Sequence, residues 1–258
     1  MNEFRIKKLN TIFRILFLSS ICVLSASAQR PAATPANEPA PDRISFGLRG
    51  GVLFSGLVNN ADSTQATSAT SPPTISTTTV NSQSWRAAIG GTIRYDLTER
   101  VDIGADILFR RAGYDTAINL YTQDDGEIDD LIEGRTEQTR ADFWDVPILA
   151  RYYTKARSDE GSRPFFTGGI AFRSAGNIRS TSEITDEDLL RDTDTTPIGP
   201  AHDFSSGAVV GAGVQLRDDV GLKVDFELRL TRWFQRSLMS GPANSRQNQA
   251  EFVFGITF

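Results

Sequence analysis

VGLKVDFELRLTRWF, Val220 to Phe234, alternates apolar and polar residues without a break from Val220 to Thr231. Successive side chains of a strand point to opposite faces. Val220, Leu222, Val224, Phe226, Leu228 and Leu230 therefore share one face, and Gly221, Lys223, Asp225, Glu227, Arg229 and Thr231 share the other. On a half-buried sheet in water, the charged face points to solvent. In a closed sheet standing in lipid, the same face lines the interior. Parity alone does not choose between these two arrangements.

The same period recurs along the chain, with no helical segment of useful length. Seven further segments carry it: Arg43–Leu57, Ser84–Leu97, Val101–Tyr114, Thr139–Thr154, Pro164–Gly176, Phe204–Leu216 and Asn248–Phe258. Each is long enough for the 9–11 or so residues that a tilted strand needs to cross a bilayer. The links between them sort by length. Val58–Gln83, Asp115–Gln138, Asn177–Asp203 and Gln235–Gln247 are long and polar, and the three that alternate with them are short. In an antiparallel meander, alternate links fall at opposite ends, so every long link shares one end. Outer-membrane barrels have this anatomy, with short periplasmic turns and long extracellular loops. A soluble sandwich has no reason to sort its loops this way.

The fold expected is therefore all-β: an eight-stranded antiparallel up-and-down transmembrane β-barrel. A barrel of eight strands is just wide enough for side chains to fill. The expected interior charges are Arg86, Arg94, Asp102, Asp106, Arg110, Arg151, Arg173, Lys223, Asp225, Glu227, Arg229 and Glu251. Their signs are roughly balanced, as charges in a narrow interior must be if each is to find a partner. Gly90, Gly104, Gly169, Gly207, Gly211 and Gly213 share that face and leave room for long stems. Tyr95, Phe109, Tyr114, Trp144, Tyr152, Tyr153, Trp233, Phe234 and Phe258 lie near segment ends, where interfacial girdles form. A soluble eight-stranded barrel would invert the pattern, with the apolar face inside.

The N-terminus argues for the membrane form. MNEFRIKKLNTIFRILFLSSICVLSASAQR has a basic start, an apolar run from Ile15 to Leu24, and Ala26-Ser27-Ala28. That is the layout of a signal peptide, residues 1–28, cut after Ala28. The apolar run is about half the ~20 residues of a membrane helix. Ile21 stands before Cys22, where lipidation would call for a small residue. Cleavage removes the only cysteine, four basic residues and Glu3, which takes the formal net charge from -5 to -8. A Pro/Ala-rich periplasmic linker, residues 29–42, precedes the barrel at 43–258. The acidic balance gives no sign of nucleic-acid binding.

The chain ends EFVFGITF, with Phe252, Phe254, Ile256 and Phe258 in step. This resembles the C-terminal signal that the barrel-assembly machinery reads. With the eight segments and the signal peptide, residues 43–258 resemble small barrels of the OmpA-transmembrane and PorT-like families. FWDVPILARYY, Phe143 to Tyr153, is similar to a proline-containing strand frequent in PorT-like proteins. The resemblance implies a barrel in the outer membrane of a Gram-negative bacterium, in contact with outer-membrane lipid and lipopolysaccharide. It also implies the assembly machinery as a partner, and an extracellular or cell-envelope protein as a further one. The PorT-like likeness keeps open a secretion or transport role.

Candidates for chemistry are few. His202 stands in AHDFSS beside Asp203, Ser205 and Ser206, and some outer-membrane enzymes act on lipid A with rim His and Ser residues. No third catalytic group is placed by the sequence. The acidic runs QDDGEIDD (Gln123–Asp130) and EITDEDLLRDTD (Glu183–Asp194) offer oxygens but not EF-hand spacing. Residues 61–80 are Ser/Thr-rich and read as a mobile, low-complexity loop. No phosphate loop, Cys/His metal set or nucleophile elbow is present. The reading is a structural or interaction barrel with a polar, plugged interior, no enzymatic activity, and no catalytic, cofactor or metal site. A narrow porin or transport component stands second and a lipid-modifying enzyme third.

Overall fold

Alternation and β-branched side chains carry most of the described chain into antiparallel strands. The computed structural model describes residues 43–67, 73–82, 86–124, 127–157, 161–185, 190–195, 202–218, 221–240 and 243–258. All of them belong to one compact unit, Asp42–Phe258. The signal peptide and linker expected over 1–42 lie outside the described residues.

The strands are β1 (Ile44–Leu53), β2 (Ala61–Thr67), β3 (Thr74–Ser82), β4 (Ala87–Asp96), β5 (Val101–Asp124) and β6 (Glu127–Tyr153). They continue with β7 (Arg163–Thr185), β8 (Leu190–Thr195), β9 (Phe204–Arg217), β10 (Lys223–Trp233), β11 (Met239–Ser240), β12 (Ala243–Asn244) and β13 (Asn248–Thr257). Eight of these close a ring in the order β1, β4, β5, β6, β7, β9, β10, β13, with β13 back on β1, every pair antiparallel. Closure leaves no open edge around the ring, which is what a sheet in hydrocarbon requires.

The burial pattern of β10 settles the question of faces. Lys223, Asp225, Glu227 and Arg229 are buried, whereas Leu228 and Leu230 are 56% and 58% exposed. β13 repeats this: Glu251, Val253 and Gly255 point in, and Phe252, Phe254 and Phe258 point out. The outward row continues around the ring through Leu48, Ile89, Ile103, Ile148, Phe166, Ile170 and Val210. Two tight turns fix the register at one end. Between β4 and β5, Thr98 Oγ1 accepts from Val101 N at 3.0 Å. Between β9 and β10, Gly221 takes φ 88°, a left-handed value that suits glycine, and its N–H donates to Asp218 O.

The opposite end departs from the expectation of four loops. Most of the link Asp115–Gln138 is strand, because β5 and β6 run 24 and 27 residues and stay paired, with register shifts near Tyr121, as far as Asp124 and Glu127. β7 likewise continues to Thr185 and pairs with β8. β2 and β3 form a hairpin on the outer part of β5. A six-stranded sheet in the order β2, β3, β5, β6, β7, β8 therefore stands beyond the ring. The Ser/Thr-rich segment read as a mobile loop supplies β2 and β3. Threonine and valine are β-branched and fit a pleated surface, and the unpaired edge of the overlong β5 gives them a ladder to complete.

Three aromatics expected in the girdles lie inside instead. Tyr114, Tyr153 and Trp233 are 4%, 2% and 4% exposed. Tyr95, Tyr152, Phe234 and Phe258 are exposed as expected. Tyr114 joins an apolar cluster with Leu53, Leu57, Val58, Val80, Phe143 and Leu238 at the end carrying the long links. Backbone bonds knit that cluster's edges: Arg246 N donates to Leu57 O and Asn59 N to Asn244 O, both at 2.8 Å.

Candidate functional site

The inward face of the ring is the part of the molecule richest in chemistry. Eleven of the twelve charges expected inside are buried: Arg94, Asp102, Asp106, Arg110, Arg151, Arg173, Lys223, Asp225, Glu227, Arg229 and Glu251. Arg86 is the exception and is exposed. It precedes β4, where its carbonyl accepts from Leu53 N at 2.9 Å, and its guanidinium donates to Phe54 O at 3.2 Å. Arg49, Asp145 and Arg163 are buried inside as well, although alternation did not single them out.

The groups form three layers along the ring. Half-way along, four guanidiniums meet four carboxylates. Arg49 donates to Asp225 at 2.8 Å and Glu227 at 3.1 Å, with Asp106 at 3.4 Å. Arg151 bridges the same two acids, reaching Asp225 at 2.9 Å and Glu227 through Nη2. Arg229 holds Asp106 at 3.0 Å and Glu227 at 3.2 Å, and Arg94 reaches Asp102 at 3.4 Å. Neutral donors fill remaining lone pairs. Thr92 Oγ1 donates to Asp106 and Tyr153 Oη to Asp102, each at 2.7 Å, and Gln215 Nε2 donates to Asp225 at 2.9 Å. A buried ion costs several kcal/mol to desolvate, and only good geometry with extra hydrogen bonds offsets that.

Toward the long-link end, Arg173 grips Asp145 with two parallel bonds at 2.6 and 2.8 Å. This is the fork geometry that suits guanidinium and carboxylate. Arg110 joins Asp145, at 3.4 Å, to Glu251, at 2.6 Å. Gln249 Oε1 accepts from both Trp233 Nε1 and Arg173 Nη2 at 3.0 Å, while the Arg173 guanidinium stacks 4.1 Å over the Trp233 ring. Toward the turns, Lys223 Nζ donates to Ser45 Oγ at 2.8 Å and lies 3.9 Å from Asp96. Arg163 donates to Gln215 at 3.2 Å and stacks on Tyr153 at 4.1 Å.

The interior is not polar throughout. Leu108, Phe143, Leu149 and Phe165 are buried among the charges, with Arg151 lying 4.1 Å over the Phe165 ring. Glycine makes room for this packing by register. Arg49 is opposed by Gly90 on one side and Gly255 on the other, Arg229 by Gly211, and Arg94 by Gly104. Gly213 faces an aromatic ring as well as backbone, since a Cβ there would stand 2.5 Å from Phe165 Cζ and 2.2 Å from Phe226 O.

The other candidates come to less. His202 is exposed, and the hydroxyls of Ser205 and Ser206 bond to Ser237 and Gln235 rather than to it. The side chains of Gln123–Asp130 lie outside the described residues, as do those of the second acidic run beyond Ile184. Among the described residues, no group of three or more His, Cys, Asp or Glu could hold a metal ion. Phe252, Phe254 and Ile256 form the outward row of β13 with exposed Phe258 just past its end, and Phe226 packs against Phe252 and Phe254 with ring centroids at 6.3 and 5.5 Å.

Residues 27–235 match the family model described as "Outer membrane protein beta-barrel domain". The chain belongs to that family. It is an all-β, eight-stranded transmembrane barrel of the outer membrane. No curated protein matches its sequence. Among solved structures it is similar to the N-terminal β-barrel domain of Pseudomonas aeruginosa OprF, with 12% identity and a TM-score of 0.38 over 83% of this chain and 96% of that one. It is similar also to Ail of Yersinia pestis, in complex with a heparin analogue, with 9% identity and a TM-score of 0.32 over 83% and 96%. The outer membrane enzyme PagL follows, with 11% identity and a TM-score of 0.24 over 83% and 98%. Likeness at this level decides nothing about binding or catalysis.

Proposed function

We propose that this protein is a structural or interaction barrel of the outer membrane. Its interior is closed to solutes, and its projecting sheet is the part offered to partners on the cell's outer side. The observation that carries this reading is the layered ion-pair network, in which Arg49, Arg151 and Arg229 all converge on Glu227 from different strands. A water-filled pore would leave such groups solvated at the wall. Here they reach across and hold one another, with the apolar cluster of Leu57, Val58, Tyr114 and Phe143 at the long-link end. The buried guanidiniums and carboxylates then serve closure and register rather than conduction.

The test is electrical. Protein reconstituted into planar bilayers should show no steady open channel. A stable conductance proportional to salt would instead support the narrow-porin reading. Protease added to intact cells should cleave in the projecting strands and leave the ring as a protected core; protection of the whole chain would place that sheet on the inner side.

A further inference from the structure

Aromatic pairs on the outer wall at the long-link end mark where hydrocarbon gives way to headgroups. Phe109 on β5 meets Trp144 on β6 with ring centroids 5.2 Å apart, and Phe172 on β7 stacks on Phe204 of β9 at 5.4 Å. Such rings settle at the membrane–water interface of a barrel. Beyond them the outward rows turn charged. Arg111 follows Phe109 on β5, Asp142 and then Arg140 follow Trp144 on β6, and Arg179 stands beside Arg140 on β7. Given the rise and tilt of barrel strands, these groups lie roughly 5–10 Å past the aromatic rings, at the level of lipid headgroups.

The acceptors at this level are already taken. Arg111 pairs with Asp142 at 2.8 Å, and Asn177 Nδ2 donates to the other oxygen of that carboxylate, also at 2.8 Å. Asn177 takes φ 50°, and its Oδ1 accepts from Arg179 Nε at 3.3 Å. Asp115, the next carboxylate along the face, accepts from Gln138 Nε2 at 3.2 Å. The Arg140 guanidinium is left without a partner among the described residues, exposed and directly across from Arg179. Like charges placed opposite one another on neighbouring strands repel. In bulk water salt screens that repulsion. In a headgroup layer the counter-charge at hand is lipid phosphate, which a guanidinium holds through two parallel bonds.

We infer that Arg140 and Arg179, with Arg111 at their base, bind the headgroup phosphate of an outer-leaflet glycolipid whose acyl chains lie along Phe109 and Trp144. The inference rests on the orientation proposed above, with the projecting sheet on the cell's outer side. Opposed residues of antiparallel strands stand roughly 5 Å apart at Cα, so both forks reach one phosphate. The bridging anion turns a repelling pair into a clamp. A headgroup that carries its own ammonium neutralises its phosphate from within and competes poorly. A phosphorylated sugar brings no such cation, and its hydroxyls suit the polar Asn177 and Gln138 beside the pair.

The experiment uses the protein purified from outer membranes in detergent. It is titrated with lipid A bearing both phosphates and with the same lipid stripped of them, and bound lipid is counted by native mass spectrometry. The phosphorylated lipid should bind at least about tenfold more tightly. Arg140→Gln combined with Arg179→Gln should abolish that preference. Arg140→Lys should keep part of it, because the charge stays and the fork is lost. Arg232→Gln, further round the rim where Arg232 bonds to Asn248 at 2.9 Å, should keep all of it. Heat-modifiable migration shows which variants are folded, and the two lipids on the unaltered protein decide the matter even if none is. Equal affinity for both lipids would overturn the inference, as would an equal loss in Arg232→Gln. Inorganic phosphate binding as tightly as the lipid would overturn it too, since the site would then serve a free anion. Protease cleavage of the projecting strands on intact cells reads the orientation separately. A missing lipid preference with that cleavage present would refute this inference and leave the proposed function standing.

Discussion

β5 and β6 cross from the ring into the projecting sheet without a break, yet their two halves follow different rules. Within the ring, Asp102, Asp106 and Arg110 are buried while Ile103 is 42% exposed. Beyond it, Thr116, Ala117, Ile118 and Asn119 are all half-buried, and Thr136 and Glu137 sit next to one another with neither face apolar. Backbone pairing is the same in both halves; the surroundings differ. Lipid outside and a narrow interior impose strict apolar-and-charged parity on the ring, whereas in the projection burial still alternates along β7, with Ser180 and Ser182 covered, but no apolar row accompanies it. Substitutions should therefore cost much in the ring and little in the sheet.

The largest effect is expected at the centre of the ring. Glu227→Gln removes one charge from a carboxylate held by Arg49, Arg151 and Arg229. Breaking a buried pair from one side costs about 3–5 kcal/mol, read as a fall in the urea midpoint of the barrel folded into vesicles. A loss below ~1 kcal/mol would mean that water reaches the interior. Next comes the lipid face of the same strand. Leu228→Arg sets a charge at an outward position that is 56% exposed to lipid. A cation near the bilayer midplane of a barrel costs about 2–4 kcal/mol. The same substitution should be tolerated in detergent far better than in vesicles, and equal loss in both would argue that this face does not meet hydrocarbon.

How much of this was legible depended on whether both faces of a strand spoke. In β10 the outward apolar and inward charged rows are both nearly pure, and in β13 the outward apolar row is, so the faces followed from parity and only their sense had to come from the link lengths and the signal sequence. β1 carried the same signal in Ile44, Phe46, Leu48, Val52 and Phe54, all exposed. The glycine pair after Arg49 blurred it, and the most deeply paired arginine went unassigned. β6 hid Asp145 for the opposite reason. Phe143, Leu149 and Tyr153 are apolar or aromatic yet point inward beside it, so neither row looked charged. The projecting sheet was least legible. Its strands are long because they find partners, β3 on β5 and β8 on β7, and a polar Thr-rich run looks the same in sequence whether or not an edge is waiting for it.

An intermediate effect tests packing without touching charge. Gly213→Val on β9 would press against Phe165 and the Phe226 carbonyl. Overpacking costs about 1–3 kcal/mol. The damage should stay local, since Arg229 and Glu227 keep their partners on other strands. Slower folding into vesicles with an unchanged lipid-accessible surface, measured by quenching of introduced fluorophores, is the expected outcome. A collapse as severe as that of Glu227→Gln would show that the interior is limited by volume rather than by charge.

The smallest effect belongs to the sheet. Thr136 is exposed and lies across from Ala117 on β5 and Glu183 on β7. Thr136→Ala removes a β-branched surface side chain but no buried partner, so the change should stay within ~0.5 kcal/mol. Were it to exceed 2 kcal/mol in vesicles, the projecting strands would be folding as one unit with the ring. The division between a membrane-constrained half and a solvent-free-to-vary half would then fail along the very strands that share both. A shift confined to protease sensitivity of the sheet, with the ring's unfolding midpoint unmoved, is what two independently constrained halves of one strand require.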